Sequence, residues 1–396
     1  MNFCISQSNS QTSGQEDPRR YARLRQLPLL QDGAFELWHA GSIGAVGGGV
    51  LGSHLVPELV RSGIGNCVVF DSDLVSMENL GTQCFTLPGV YKTDALRDQC
   101  NSIREGVLQS RPIDVRHAGV GELASLDTIV DATDDPNLQW PLTEISNGLG
   151  IPMLRIAVDG SGECELGRIQ VSHGGRGYAC RLCSKSLEQL IRNLPRTPCP
   201  HVQVTGSPPT IAGNGIAMAV AGLALTQLQR LICGKSDNRT YNSQIIIDLD
   251  NFRIIALLEP RSEKCVSGHV VWDLIPAGVN AAEIALGEVF DIAGRLIGWP
   301  VDVIEPYNHP LYLSARCECG KIKDAIGTRW AEPPYCDKCH QAMNWELHTQ
   351  KPSWTRLDAE NAGILSRTMV ELGLPAAGAM VLARKQDKPT KRIVFS

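Results

Sequence analysis

Residues 42–73, SIGAVGGGVLGSHLVPELVRSGIGNCVVFDSD, decide the fold of this chain. A short apolar run leads into a glycine turn, an amphipathic segment follows, and a second apolar run ends at Asp71. This order of strand, turn, helix, strand and acidic residue is typical of the first half of a nucleotide-binding βαβ unit. Gly47 suits the tight turn, Gly49 lets a phosphate approach the backbone, and Gly52 lets the helix pack closely on the strand. The helix N-terminus attracts the phosphate, and Asp71 is expected to accept hydrogen bonds from ribose hydroxyls.

Composition limits the classes of function. A chain of 396 residues with 43% hydrophobic content predicts a large core and two domains. A net charge of −5 argues against a nucleic acid or a membrane surface as the main partner. Because no apolar run has the length of a membrane span and no signal-peptide core is present, we expect a cytoplasmic protein. Fourteen cysteines in a reducing compartment indicate metal binding or catalysis before disulfides.

The chain divides into three predicted regions. Residues 1–18 are rich in Ser, Gln and Asn, which predicts a disordered tail. Residues 19–275 alternate strands and helices, which predicts an α/β domain around a mainly parallel sheet. Within it, residues 113–118 are expected to form a strand and residues 211–233 a buried helix. From residue 287 to 396 Trp and Pro increase and a cysteine cluster appears, which predicts a smaller C-terminal domain.

The polar residues that follow the glycine turn form an ordered set of motifs. They are the acidic pair Asp71 and Asp73, then Asn79, Gln83 and Lys92, and finally Asp134 in the segment VDATDD. This set resembles the ThiF/MoeB/HesA family of adenylating enzymes, which are related to ubiquitin-activating enzymes. The resemblance covers roughly residues 20–266 and implies a Rossmann-like ATP-binding adenylation domain. It implies that Asp71 holds the ribose, that Asn79, Gln83 and Lys92 line the triphosphate, and that Asp134 holds Mg²⁺.

Adenylation chemistry agrees with this set of residues. Transfer of AMP onto a carboxylate expels pyrophosphate, so negative charge develops that a lysine, Mg²⁺ and helix N–H groups stabilise. The resemblance also implies that Arg23 reaches the ATP of the partner subunit in a homodimer. The alternative is that Arg20 and Arg23 are ordinary arginines on an exposed helix. The chain departs from the family at Thr82, where an arginine is usual, and at Glu78 and Asp135. Either other basic residues compensate for Thr82, or the chain is a weakened relative.

Two groups of cysteines have the spacing of zinc ligands. By resemblance, Cys180 and Cys183 match the first zinc pair of the family, and Cys265 with His269 lie where its second pair is found. The alternative is that Cys265 is an ordinary buried residue and His269 an ordinary surface one. The second group, which reads as a zinc ribbon, comprises Cys317, Cys319, Cys336 and Cys339.

Cys199 lies in a Pro-rich loop, in the segment RTPCPH. In ubiquitin-activating relatives this region carries the cysteine that takes the acyl group as a thioester, a reaction that suits an ionised thiol. The alternative is a spare loop thiol.

The expected function is ATP-dependent adenylation of the C-terminal carboxylate of a ubiquitin-like protein. Transfer through Cys199 to a conjugating-enzyme-like acceptor follows, and bacterial antiviral defence is one setting for such an activator. ATP, Mg²⁺ and Zn²⁺ are the expected cofactors. The alternatives are activation of a sulfur carrier and a weakened subunit that only binds its partner. A nicotinamide dehydrogenase is disfavoured because no acid or base for hydride transfer stands out.

Overall fold

The computed structural model describes residues 18–160, 165–173, 175, 177–185 and 212–396. Nearly all of the predicted disordered tail lies outside the described residues, and so does Cys199.

The helices are α1 Ala34–Ala40, α2 Val50–Arg61, α3 Lys92–Ile103, α4 Val120–Ala124, α5 Gln139–Leu149, α6 Asn214–Ile232, α7 Asn238–Tyr241, α8 Leu286–Ile297 and α9 Arg356–Asn361. The strands are β1 Ser42–Val46, β2 Asn66–Phe70, β3 Leu108–Arg111, β4 Thr128–Asp131, β5 Met153–Asp159, β6 Leu166–Ser172, β7 Ser243–Asp248, β8 Arg253–Leu258, β9 Leu274–Pro276, β10 Val303–Pro306, β11 Tyr312–Arg316, β12 Ile322–Gly327, β13 Asn344–Trp345, β14 Trp354–Thr355, β15 Met380–Arg384 and β16 Lys391–Val394.

The larger sheet has eight strands in the order β3-β2-β1-β4-β5-β6-β7-β8. The strands from β3 to β5 pair in parallel, which confirms the predicted α/β fold. From β5 onward each pair is antiparallel, so β6, β7 and β8 extend the sheet on one side. In such a sheet the carboxyl ends of the parallel strands meet at one edge, where ligands bind.

The prediction of a strand at residues 113–118 is wrong. The strand in this part of the chain is β3, which ends at Arg111, and its last partner on β2 is Phe70. Pro112 follows and has no N–H group to donate to a ladder. Residues 115–117 instead form a single 3₁₀ turn, because the Asp114 side chain accepts the Arg116 N–H at 2.8 Å.

Helix α6 is the helix that the sequence predicted to be buried. By length and composition it is the one helix among the described residues that is long and apolar enough to cross a bilayer. In this fold it packs against α2, β5 and β6. Ile216, Val220 and Leu228 on its inner side are fully buried, whereas Met218 and Gly222 face outward. Its apolar character therefore belongs largely to the core.

A second, smaller sheet covers one face of the large one. Its strand order is β14-β10-β15-β16-β9, and β9 joins it ahead of the composition change at residue 287. Met380, Leu382 and Tyr307 of this unit share a buried cluster with Phe70 and Leu142 of the first. The three strands β12, β11 and β13 form a separate small sheet around the last four cysteines. The two main sheets are therefore joined by a common core.

Gly148 marks a close contact between the two units. The Trp272 N–H donates to the Gly148 carbonyl at 2.7 Å, and a Cβ at Gly148 would lie 2.2 Å from the Trp272 ring. We expect Gly148→Ala to lower the free energy of unfolding by about 1–3 kcal/mol through this overlap. Urea unfolding followed by tryptophan fluorescence measures the effect.

Gly222→Ala is the matched control, because it is also helical but no atom lies within 4 Å of its added Cβ. We expect it to leave stability unchanged or to raise it by up to about 1 kcal/mol, through helix propensity. Equal losses in both variants would contradict the packing argument.

Candidate functional site

A cleft of about 1100 Å³ opens at the carboxyl ends of β1, β2, β4 and β5. Eight of the residues predicted to bind the nucleotide or its metal ion line it: Gly47, Gly49, Asp71, Asp73, Asn79, Gln83, Lys92 and Asp134. The structure thus brings together residues spread over nearly ninety positions of the chain.

The glycine turn forms the floor of this cleft. Gly47 has a φ of +97°, a conformation that favours glycine. A Cβ at Gly52 would lie 2.1 Å from the Gly47 carbonyl oxygen, so only glycine lets α2 start this close to β1. At Gly49, by contrast, an added Cβ meets no atom within 4 Å. The backbone there is open toward the cleft, at a helix N-terminus that favours anions.

The acidic pair after β2 has two different roles in the fold. The Asp71 carboxylate accepts the N–H groups of Gly48 at 2.7 Å and Asp73 at 2.8 Å, and so braces the glycine turn. Burial raises the pKa of Asp71, against the lowering influence of Lys92 and these two N–H groups. Asp73 instead accepts the Lys92 ammonium at 2.9 Å, which points this mostly buried lysine at the cleft.

The segment between β2 and α3 supplies two amides. The Asn79 side chain accepts the Ser76 N–H at 2.9 Å and closes a short 3₁₀ turn. The Gln83 N–H donates to the Asn79 carbonyl at 2.8 Å. The Gln83 Oε1 atom is buried and has no hydrogen-bond partner among the described residues. A bound ligand that donates a hydrogen bond would satisfy it.

The two acidic residues after β4, Asp134 and Asp135, have different surroundings. Asp134 is exposed at the cleft. Asp135 lies 3.3 Å from the guanidinium of Arg116, and its side chain caps the next turn through the Asn137 N–H. Asp134 is therefore the carboxylate of this segment that is placed to contact a cation in the cleft.

Sequence reasoning missed a group of basic residues in the cleft wall: Arg116, Arg155, Arg168, Arg181 and Lys185. Two of them had a signal in the sequence. Arg155 interrupts the apolar run of β5, and Arg181 stands between the two cysteines of the first predicted zinc pair. These residues place basic groups in the cleft lining, and among them Arg116 forms an ion pair with Asp135 and Arg181 one with Asp131.

The first cysteine group converges beside this wall. The ligand atoms of Cys180, Cys183, Cys265 and His269 all lie within 4.8 Å of one another. The Sγ atoms of Cys180 and Cys265 are 3.5 Å apart, near the roughly 3.8 Å that tetrahedral zinc–sulfur bonds produce. The hydrogen bond from Cys180 lowers the pKa of the Cys183 thiol to about 4, which favours the thiolate that metals bind. This donor set fits zinc.

The second group lies at the small sheet of the C-terminal unit. The Sγ atoms of Cys317 and Cys339 are 3.3 Å apart, and those of Cys319 and Cys336 are 3.6 Å apart. The backbone N–H groups of Lys338 and Cys339 lower the pKa of Cys336 to about 6. This arrangement also fits zinc.

Arg23 lies apart from both groups. It is exposed, between two short 3₁₀ turns at the start of the described chain, and it does not line the cleft of its own subunit.

Comparison with protein families matches residues 21–267 to the ThiF family. Among curated proteins, the chain is 28% identical over 147 residues to the ATP-dependent ubiquitin transferase-like protein Cap2 of Pseudomonas aeruginosa. That match covers 35% of this chain and 26% of Cap2. It is 29% identical over 167 residues to the adenylyltransferase and sulfurtransferase MOCS3 of Arabidopsis thaliana, covering 41% of this chain and 35% of MOCS3. The chain thus spans less than half the length of these relatives.

Among solved structures, the chain resembles E. coli MccB crystallised with succinimide, with a TM-score of 0.52 at 18% identity. The match covers 63% of this chain and 74% of MccB. MccB crystallised with ATP gives a TM-score of 0.51 at 17% identity, with the same coverage. At these identities the likeness shows the fold alone.

The two cysteine groups predict two zinc ions per chain. We expect Cys319→Ser to lower the content to one, because a four-ligand site loses a thiolate. Elemental analysis of purified, dialysed protein measures the ratio.

Cys84→Ser serves as the control, since this half-buried cysteine lies outside both groups and should leave two zinc ions. A wild-type protein with fewer than two zinc ions, or a Cys319→Ser variant that keeps both, would contradict the assignment.

Proposed function

Because the chain belongs to the ThiF family, we propose that it adenylates the C-terminal carboxylate of a ubiquitin-like protein with ATP. The observation that carries this proposal is the convergence of a glycine turn, Lys92 and Asp134 on one cleft at the carboxyl edge of a parallel sheet.

In the proposed reaction the carboxylate attacks the α-phosphate of ATP, acyl-AMP forms and pyrophosphate leaves. Charge develops on the departing phosphates, where the N-terminus of α2 and the ammonium of Lys92 stabilise it. Asp73 fixes the direction of that ammonium through its 2.9 Å contact. Asp134 is the residue we propose for Mg²⁺, which would neutralise further phosphate charge. Asp71, close to the glycine turn, is proposed to accept the ribose hydroxyls.

We further propose a thioester step. The acyl group would pass from AMP to the sulfur of Cys199, and from there to a conjugating-enzyme-like acceptor. The support is the position of this cysteine between the first zinc pair and α6, together with the likeness to Cap2. A cytoplasmic location and a role in bacterial antiviral defence belong to the same proposal.

A homodimer completes the proposed site. Arg23 lies outside the cleft of its own subunit, as a residue that serves a partner subunit would. The edge strand β8 and the preceding turn expose Phe252, Ile254 and Leu258. Exposed apolar edges of this kind mark contact surfaces. A second copy of the chain is the proposed occupant.

Two alternatives have specific support. The likeness to MOCS3, named as an adenylyltransferase and sulfurtransferase, favours activation of a sulfur carrier. Thr82 favours a weakened subunit that binds its partner without activating it. Arg155 in the cleft wall argues for an active enzyme over that weakened subunit.

Pyrophosphate exchange into ATP tests the activity, with a ubiquitin-like protein that ends in Gly-Gly as the substrate. We expect Lys92→Ala to lower the exchange rate by about 100-fold or more, because one preorganised cation is removed from the developing charge.

Lys388→Ala, on an exposed turn between β15 and β16, is the matched control and should exchange normally. Wild-type protein without exchange, in the presence of a substrate that it binds, would leave the weakened-subunit alternative in place.

A covalent adduct between the two proteins separates the proposal from sulfur-carrier activation. We expect a thiol-sensitive adduct on non-reducing gels that Cys199→Ala abolishes, because its sulfur carries the acyl group. Cys84→Ala should retain the adduct. An adduct that survives loss of Cys199 would refute its role.

A further inference from the structure

Arg155 stands where the two halves of the large sheet meet. It is the partner of Asp131, the last residue of β4, in the parallel pair β4–β5. Strand β5 continues beyond this pair to Asp159 and turns into the wall formed with β6. Arg155 therefore lies between the glycine turn on one side and the antiparallel wall on the other, with its side chain in the cleft.

A buried carboxylate holds this arginine in place. Asp131 is fully buried, and its Oδ1 atom accepts the N–H of Thr133 at 3.1 Å and the Thr133 hydroxyl at 2.7 Å. Its Oδ2 atom accepts Arg181 at 2.6 Å, in an ion pair that is itself buried. The Nη1 atom of Arg155 lies farther from the same Oδ2 atom, at 3.5 Å, which is the outer limit of a hydrogen bond.

Arg155 is thus held in one orientation, while most of its N–H donors have no hydrogen-bond partner among the described residues. A guanidinium has five N–H donors, and this long contact is the one hydrogen bond that Arg155 makes to the described residues. Its side chain is 20% exposed, toward the cleft. Because the short ion pair of Asp131 is the one with Arg181, the other N–H donors of Arg155 are available to a ligand.

The chemistry of the proposed function requires such a cation. A carboxylate must approach a triphosphate, and two anions repel each other unless positive charge lies beside the attacking group. Lys92 is held on the phosphate side by Asp73, at the end of β2. On the other side of the cleft a planar guanidinium matches a carboxylate through two parallel hydrogen bonds.

We propose that Arg155 receives the C-terminal carboxylate of the substrate, and that Asp131 and Arg181 are its positioning residues. This inference rests on the proposed function and adds the recognition of the acyl group. One carboxylate oxygen bonds to the α-phosphorus as the bond to pyrophosphate breaks. The electron pair of that bond leaves with pyrophosphate, and no proton is transferred.

Peptide binding without nucleotide tests this role. The probe is an N-terminally fluorescent octapeptide ending in Gly-Gly, compared with the same peptide as its C-terminal amide, on the full chain. We expect the free carboxylate to bind about tenfold more tightly, the scale of one charged hydrogen bond. Arg155→Gln should bring the ratio of the two affinities to about one, and Arg155→Lys should restore part of the preference.

Arg295→Gln is the matched control, since this exposed arginine of α8 lies outside both the cleft and the proposed dimer surface and should leave the ratio unchanged. Asp131→Asn tests the positioning of Arg155. A merely structural defect would lower the affinities for both peptides equally, whereas a misplaced Arg155 would lower the ratio of the two affinities. The inference is overturned if wild-type protein shows no preference, binds neither peptide at millimolar concentration, or keeps its preference in Arg155→Gln.

The same measurements keep the two proposals apart. A chain that prefers the carboxylate through Arg155 but never exchanges pyrophosphate would refute the proposed activity and leave the carboxylate site standing. A chain that exchanges pyrophosphate without a carboxylate preference would do the reverse.

Discussion

The close approach of α2 to β1 is the constraint on which the site depends. The Gly47 carbonyl occupies the space that any side chain at Gly52 would need. Because the helix starts there, its free N–H groups face the cleft, and the Asp71 carboxylate can reach back to the Gly48 N–H. The acidic pair after β2 then sets the direction of Lys92. The shape of the cleft therefore depends on the absence of a side chain at Gly52, which lets the helix approach the Gly47 carbonyl oxygen.

The larger sheet also explains why the chain has two units with one shared core. A parallel sheet needs cover on both faces. Helices α2, α3 and α6 pack on or beside one face. On the other, α4 and α5 are joined by the second sheet, whose Met380 and Leu382 enter the same cluster as Phe70.

Local patterns in the sequence were enough to predict the central βαβ unit of the fold. The glycine turn, the acidic pair and the cysteine pairs are each short, and strand and helix periodicities are local properties. The strand at residues 113–118 was wrong because one proline outweighed an apolar pattern. The cleft wall was missed for another reason. Arg181 meets Asp131 across 50 positions of the chain, a separation at which no periodicity operates.

The shared core has a consequence for how this protein tolerates shortening. Removing the C-terminal unit would remove Tyr307, Met380 and Leu382 from the face that they cover. It would leave an exposed hydrophobic surface at α4 and α5. The ThiF portion on its own would then be prone to self-association. The C-terminal unit can therefore be replaced in evolution less freely than a domain on a flexible linker. Any replacement must also cover the hydrophobic face of the large sheet that carries α4 and α5.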